Sequence, residues 1–208
     1  MEKNFVFDLM MNLLSQMKND PSSVTEEDRN KLDSLYRSLC QATNVSEHSK
    51  WAVEWVVEKW NSMKEKMDGV APYEVLTTGQ NIILDSGATA MLKLIIGDSS
   101  ATAFNNANAK IYVGTDTTPE NASQTGILAS GPNSAYAAMD STYPMVDNRT
   151  VTFRATFGDG AANFAWREAA VTNGTGVGAV AMNRKVFDMG TKKNGTWTMQ
   201  ITISLLSA

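Results

Sequence analysis

One histidine, His48, and one cysteine, Cys40, are the only residues of their kinds in the 208-residue chain. That count argues against a histidine-based metal site and against a Cys–His nucleophilic dyad. His48 follows Glu47 at the start of an expected helix. As a general base it would need a nucleophile and an orienting carboxylate, and the sequence marks neither, so it reads as a solvent-facing helix-start residue.

Paired carboxylates are the remaining route to acid–base chemistry. Asp98, Asp116, Glu120, Asp140, Asp147, Asp159, Glu168 and Asp188 are spread through the C-terminal two thirds, and a glycosidase could use two of them. Most stand in turn-like settings, such as Gly97-Asp98-Ser99, Gly158-Asp159-Gly160 and Val146-Asp147-Asn148, where aspartate stabilises the turn itself. The glycine clusters Gly158-Asp159-Gly160 and Gly174-Thr175-Gly176-Val177-Gly178 lack the strand–loop–helix setting of a phosphate cradle and read as hairpin loops. Arg167 and Glu168 fall on opposite faces of a predicted strand. An inward charge there would need a partner such as Arg154, and a surface cross-strand pair is the plainer reading. No catalytic, cofactor-binding or metal-ligating residue is nominated. The chain reads as non-enzymatic, with no cofactor.

The elements that would position these residues divide the chain in two. Residues 1–70 read as a helical segment of about three helices. The first carries Val6, Met10, Leu13 and Met17 at helical spacing, and Pro21 stops it. The second opens at the capping residue Thr25 and buries Leu32, Leu35, Tyr36 and Leu39. The third begins near Ser46, presents Ala52, Val56, Trp60, Met63 and Met67 flanked by Trp51 and Trp55, and ends at Gly69.

Residues 71–208 change texture to short apolar runs between Thr, Asn, Gly, Ala and Ser. Ala88–Ile96 favours a short helix, and Lys110–Val113 a strand. Residues 151–157 alternate, with Val151, Phe153, Ala155 and Phe157 on one face, and 164–169 reads as the returning arm of a hairpin. Trp197, Met199, Ile201, Ile203 and Leu205 alternate with polar residues after the turn Lys193-Asn194-Gly195. The expected class is α+β, a helical segment followed by a mainly antiparallel β-sandwich or small barrel.

Charge supports the division. Residues 1–74 hold 9 Lys/Arg against 13 Asp/Glu, whereas the rest holds 9 of each, so the whole net charge of −4 sits in the N-terminal third. Neither part has the positive excess that nucleic-acid phosphates demand. The N-terminal apolar stretch is interrupted by Asp8 and reads as no signal peptide, and no run is long enough to span a membrane. A reducing compartment fits a chain in which no internal disulfide can form.

Three tryptophans within ten residues exceed the needs of one short helix face. Either they pack within the chain, or Trp51, Trp55, Trp60, Met63 and Met67, with Met10 and Leu13, form a surface for a partner or an oligomer.

The stretch from Asn81 to Leu205 resembles small β-domain structural proteins of tailed bacteriophages. The resemblance is carried in order by Asn105 to Gly114, Ala122 to Gly126, Met139 to Pro144, Thr152 to Gly158, Ala162 to Glu168, Asn183-Arg184-Lys185, Gly190-Thr191-Lys192 and Trp197 to Ile203. It implies a virion component made in the host cytoplasm: a capsid decoration protein on the head surface, or a neck or tail fibre protein. The implied partners are the major capsid protein or neck and tail proteins, together with further copies of the chain, a trimer being favoured. A carbohydrate-binding module is a third reading, since Tyr112, Tyr136 and Tyr143 could stack on sugars. The helical segment lies outside the resemblance and would serve attachment or oligomerisation.

Overall fold

A computed structural model describes Thr25 and residues 51–79, 82–176 and 178–205. The two helices expected before residue 45, with Met10 and Leu13, lie outside the described residues. From Trp51 onward the described residues form one compact, mostly β unit.

The expected third helix is overturned, and with it the α+β class led by a three-helix segment. Trp51–Trp60 is a ten-residue strand, β1. Its sequence supports two periods at once: Ala52, Val56 and Trp60 recur every fourth residue, but Val53, Trp55 and Val57 also alternate with Glu54, Val56 and Glu58. The burial follows the second period, with Val53, Trp55 and Val57 inside and Glu54 exposed. β-branched and aromatic residues suit a pleated, half-buried surface, and an equally long apolar strand offers β1 a complete ladder of hydrogen bonds. The only helix here is α1, Met63–Met67, started by Ser62, whose hydroxyl accepts from the Glu65 amide.

The remaining elements are β2 (Glu74–Gly79), β3 (Ile82–Ile83), helix α2 (Asp85–Ile95), β4 (Lys110–Gly114), β5 (Ser134–Ala138), β6 (Met145–Asp147), β7 (Thr150–Phe157), β8 (Ala165–Thr172), β9 (Asn183–Thr191) and β10 (Thr196–Leu205). They make two five-stranded antiparallel sheets, ordered β2-β1-β10-β7-β6 and β3-β9-β8-β4-β5. Trp55, Phe153, Phe157, Met199, Ile201 and Ile203 of the first sheet share one core with Ile111, Val113, Trp166, Val171 and Met189 of the second.

The hairpin expected around Gly158-Asp159-Gly160 is also corrected. β7 and β8 are not paired; they lie in different sheets, and the turn arches between them. Phe157 and Trp166 both face inward and meet edge to face at 4.7 Å, so the apolar faces that suggested a hairpin oppose each other across the core. A buried lysine sets the arch: Lys192 Nζ donates to the carbonyls of Gly158 and Ala161, each at 2.8 Å, and to Asn163 Oδ1 at 2.9 Å. Burial pushes this ammonium below its ordinary pKa.

Candidate functional site

The connection between β4 and β5, residues 115–133, is long and has little regular structure, and such segments commonly carry function on a rigid scaffold. Its shape is imposed from beneath by Glu168 on β8 and Arg184 on β9. Both side chains are wholly shielded from solvent, and Arg184 Nη2 lies 2.7 Å from Glu168 Oε2. Neither charge has spare valence. The carboxylate also accepts from the backbone amides of Leu128 and Ala129, the latter at 2.7 Å. The guanidinium donates to the Thr118 carbonyl at 2.9 Å and to Gln124 Oε1 at 3.0 Å, and lies 3.3 Å from Asp116 Oδ1.

One ion pair therefore grips the loop at both ends. Glu120 adds a third mooring by accepting from the Val186 amide at 2.6 Å. Burial pushes the Glu120 carboxyl up, but that amide and the nearby Lys185 and Arg184 outweigh it and leave the pKa below the ordinary value. Asp116 is held below the usual carboxylate range by hydrogen bonds from the Thr118 backbone and side chain, assisted by Arg184. The loop presents Leu128, 44 % exposed, where its backbone is held most tightly.

The sequence reading of Arg167 and Glu168 is reversed in detail. Glu168 is the buried member, and its partner is Arg184. Arg154 serves the other sheet, donating to Glu58 at 3.0 Å, and Arg167 pairs with Asp188. The signal missed was a register shift between Trp166 and Glu168, where three residues of β9 (187–189) stand opposite Arg167 alone. Trp166 and, beyond the shift, Ala169 both face the core, which leaves Glu168 facing the loop.

The other carboxylates are committed locally. Asp98 and Asp188 cap amides two residues onward, at Ser100 and Gly190. Asp159 ties the Met63 amide and the Thr196 hydroxyl to the arch, and Asp140 accepts from Thr156. Among the described residues no group of three His, Cys, Asp or Glu side chains is placed to hold a metal ion, and no helix is long and apolar enough to cross a membrane.

The nominated interface residues that are described do not share one exposed surface. Trp55 and Trp60 are buried within the chain, the Trp60 indole donating to the Val70 carbonyl at 2.7 Å. Met63 is half-buried, while Trp51 and Met67 are exposed. The three tyrosines proposed for sugar stacking divide likewise: Tyr112 and Tyr136 pair at 5.0 Å on neighbouring strands of the second sheet, while Tyr143 lies beside Arg154 of the first. No family model, curated protein or solved structure matches this chain.

Proposed function

We propose that the chain is a non-enzymatic structural protein of a tailed-phage particle, attached to the head surface as a decoration protein. The observation that carries this reading is the loop 115–133, held rigid by a fully desolvated ion pair. A docking element that loses little freedom on binding gains affinity, and an apolar side chain presented from it serves as an anchor. Leu128 occupies that position. The ordered resemblance to phage structural proteins supplies the setting. Two sheets that share one core without disulfides suit a protein that must persist on a particle surface.

Imaging the purified particle by cryo-EM tests the proposal. Decoration requires on the order of hundreds of symmetry-related copies on the head. About six or twelve copies at the neck or tail would replace it with the fibre or adaptor reading, and absence from the particle would remove both. Leu128→Ser should lower occupancy on particles without lowering the melting temperature of the free protein.

A further inference from the structure

At one mouth of the sandwich, between the β1–β2 side of the first sheet and β9 of the second, lies an open groove of about 360 Å³. Its floor is Trp197 and Met189, and Tyr73, 55 % exposed, lines one side. Glu74 and Asp188 bring carboxylates to it, with side chains 44 % and 67 % exposed.

Lys59 is the unusual component. It continues the inward-facing row of β1, and its side chain is only 4 % exposed. Its ammonium sits 4.3 Å above the Trp197 ring and donates to Glu74 Oε2 at 2.8 Å. An ammonium carries three donors, so two N–H bonds remain without an acceptor among the described residues. Gly190 keeps the space above it clear. With φ at +92°, this residue leaves a position where a Cβ would lie 3.3 Å from Lys59 Nζ and 3.7 Å from Trp197.

We propose that this groove binds a neutral saccharide, with a sugar ring against Tyr73 and adjacent hydroxyls between Lys59 and the carboxylates of Glu74 and Asp188. The chemistry selects the ligand class. Lys59 and the Asp188 partner Arg167 balance the two carboxylates, so the groove favours neither an anion nor a cation. Each sugar hydroxyl both donates and accepts, which matches an unfilled ammonium donor beside carboxylate acceptors. The C–H face of a pyranose suits an exposed aromatic ring with apolar floor residues beneath it. The inference is independent of attachment to a particle, because the groove and the moored loop use different residues.

The test is an array of defined neutral and acidic mono- to tetrasaccharides probed with the labelled full-length chain, followed by calorimetry on the best binder. Inorganic phosphate and calcium chloride serve as charged controls. Binding of a neutral saccharide, weakened at least tenfold by Tyr73→Ala, retained by Tyr73→Phe and unchanged by Tyr136→Ala, is the expected result. Glu74→Gln should weaken the same interaction at least threefold, giving a second reading if Tyr73→Ala fails to fold. Absence of saccharide binding overturns the proposal. So does binding that is lost in Tyr136→Ala but not in Tyr73→Ala, or a preference for phosphate, calcium or acidic glycans.

Discussion

Arg184 and Glu168 meet at 2.7 Å with no solvent on either side chain, and between them they fix the backbone of a loop that neither belongs to. Taking two charges out of water costs several kcal/mol each, a cost offset here because amides, a carbonyl and an amide oxygen complete both shells. The pair specifies the shape of the loop more than it adds stability.

Removing one partner should therefore be worse than removing both. Glu168→Gln leaves the buried guanidinium with only the more distant Asp116 carboxylate as counter-charge and is expected to cost about 3–5 kcal/mol. The double variant Glu168→Leu, Arg184→Met should recover part of that stability in urea unfolding while losing hydrogen-exchange protection at residues 118–129. Equal stability loss in the single and double variants would refute this account.

Acid should weaken the fold from the carboxylate side. Asp116 and Glu120 have folded pKa values below their ordinary 3.8 and 4.5. Between the folded and ordinary values the unfolded chain holds more protons, so stability rises with pH across that window. The contribution is fully present above about pH 4.5 and is lost as pH falls through the depressed folded values. Urea midpoints measured at pH 7, 5, 4 and 3 should be level at first and then fall, and Glu120→Gln should flatten the decline.

Trp55 and Trp51, four residues apart, should differ sharply. Trp55 is completely buried and Trp51 is 45 % exposed. Trp55→Ala is expected to cost about 3–5 kcal/mol, Trp51→Ala under about 1 kcal/mol. Similar values from chemical denaturation would refute this account of which β1 side chains reach the core.

Lys192→Met should loosen the arch between β7 and β8. Its ammonium joins two carbonyls and an amide oxygen at 2.8–2.9 Å, and losing these charge-assisted bonds is expected to cost about 2 kcal/mol. Hydrogen exchange should accelerate at residues 158–164, with the β1–β10 ladder unaffected at low denaturant.

Close approach at Gly87 gives a further check. A Cβ there would fall 2.3 Å from the Met182 carbonyl oxygen, so the α2 backbone packs directly against the chain entering β9. Gly87→Ala should lower the melting temperature even though alanine is the better helix former.

Much of the β architecture was legible in the sequence. The strict alternations at 151–157 and 197–205 are strands β7 and β10 because period-two burial admits no other regular element over that length. Ala88–Ile96 falls largely within α2, and Asp98 sits in the turn its neighbours suggested, whereas Asp188 lies within strand β9. Local pattern did not decide the period of Trp51–Trp60, which fits a helix by its fourth-residue spacing and a strand by its alternation. Only the ladder with β10, ten residues long, resolved it. Nor could local pattern show that the turn at 158–160 crosses between sheets, because a paired strand and a facing strand bury the same alternate residues. The moored loop was equally hidden: Glu168 and Arg184 are 16 residues apart in sequence and become partners only when β8 and β9 pair. Residue types and periods thus determined most of the strands, while the tertiary structure decided which strands pair, which face each other, and which charges leave water, because those outcomes depend on contacts distant in the chain.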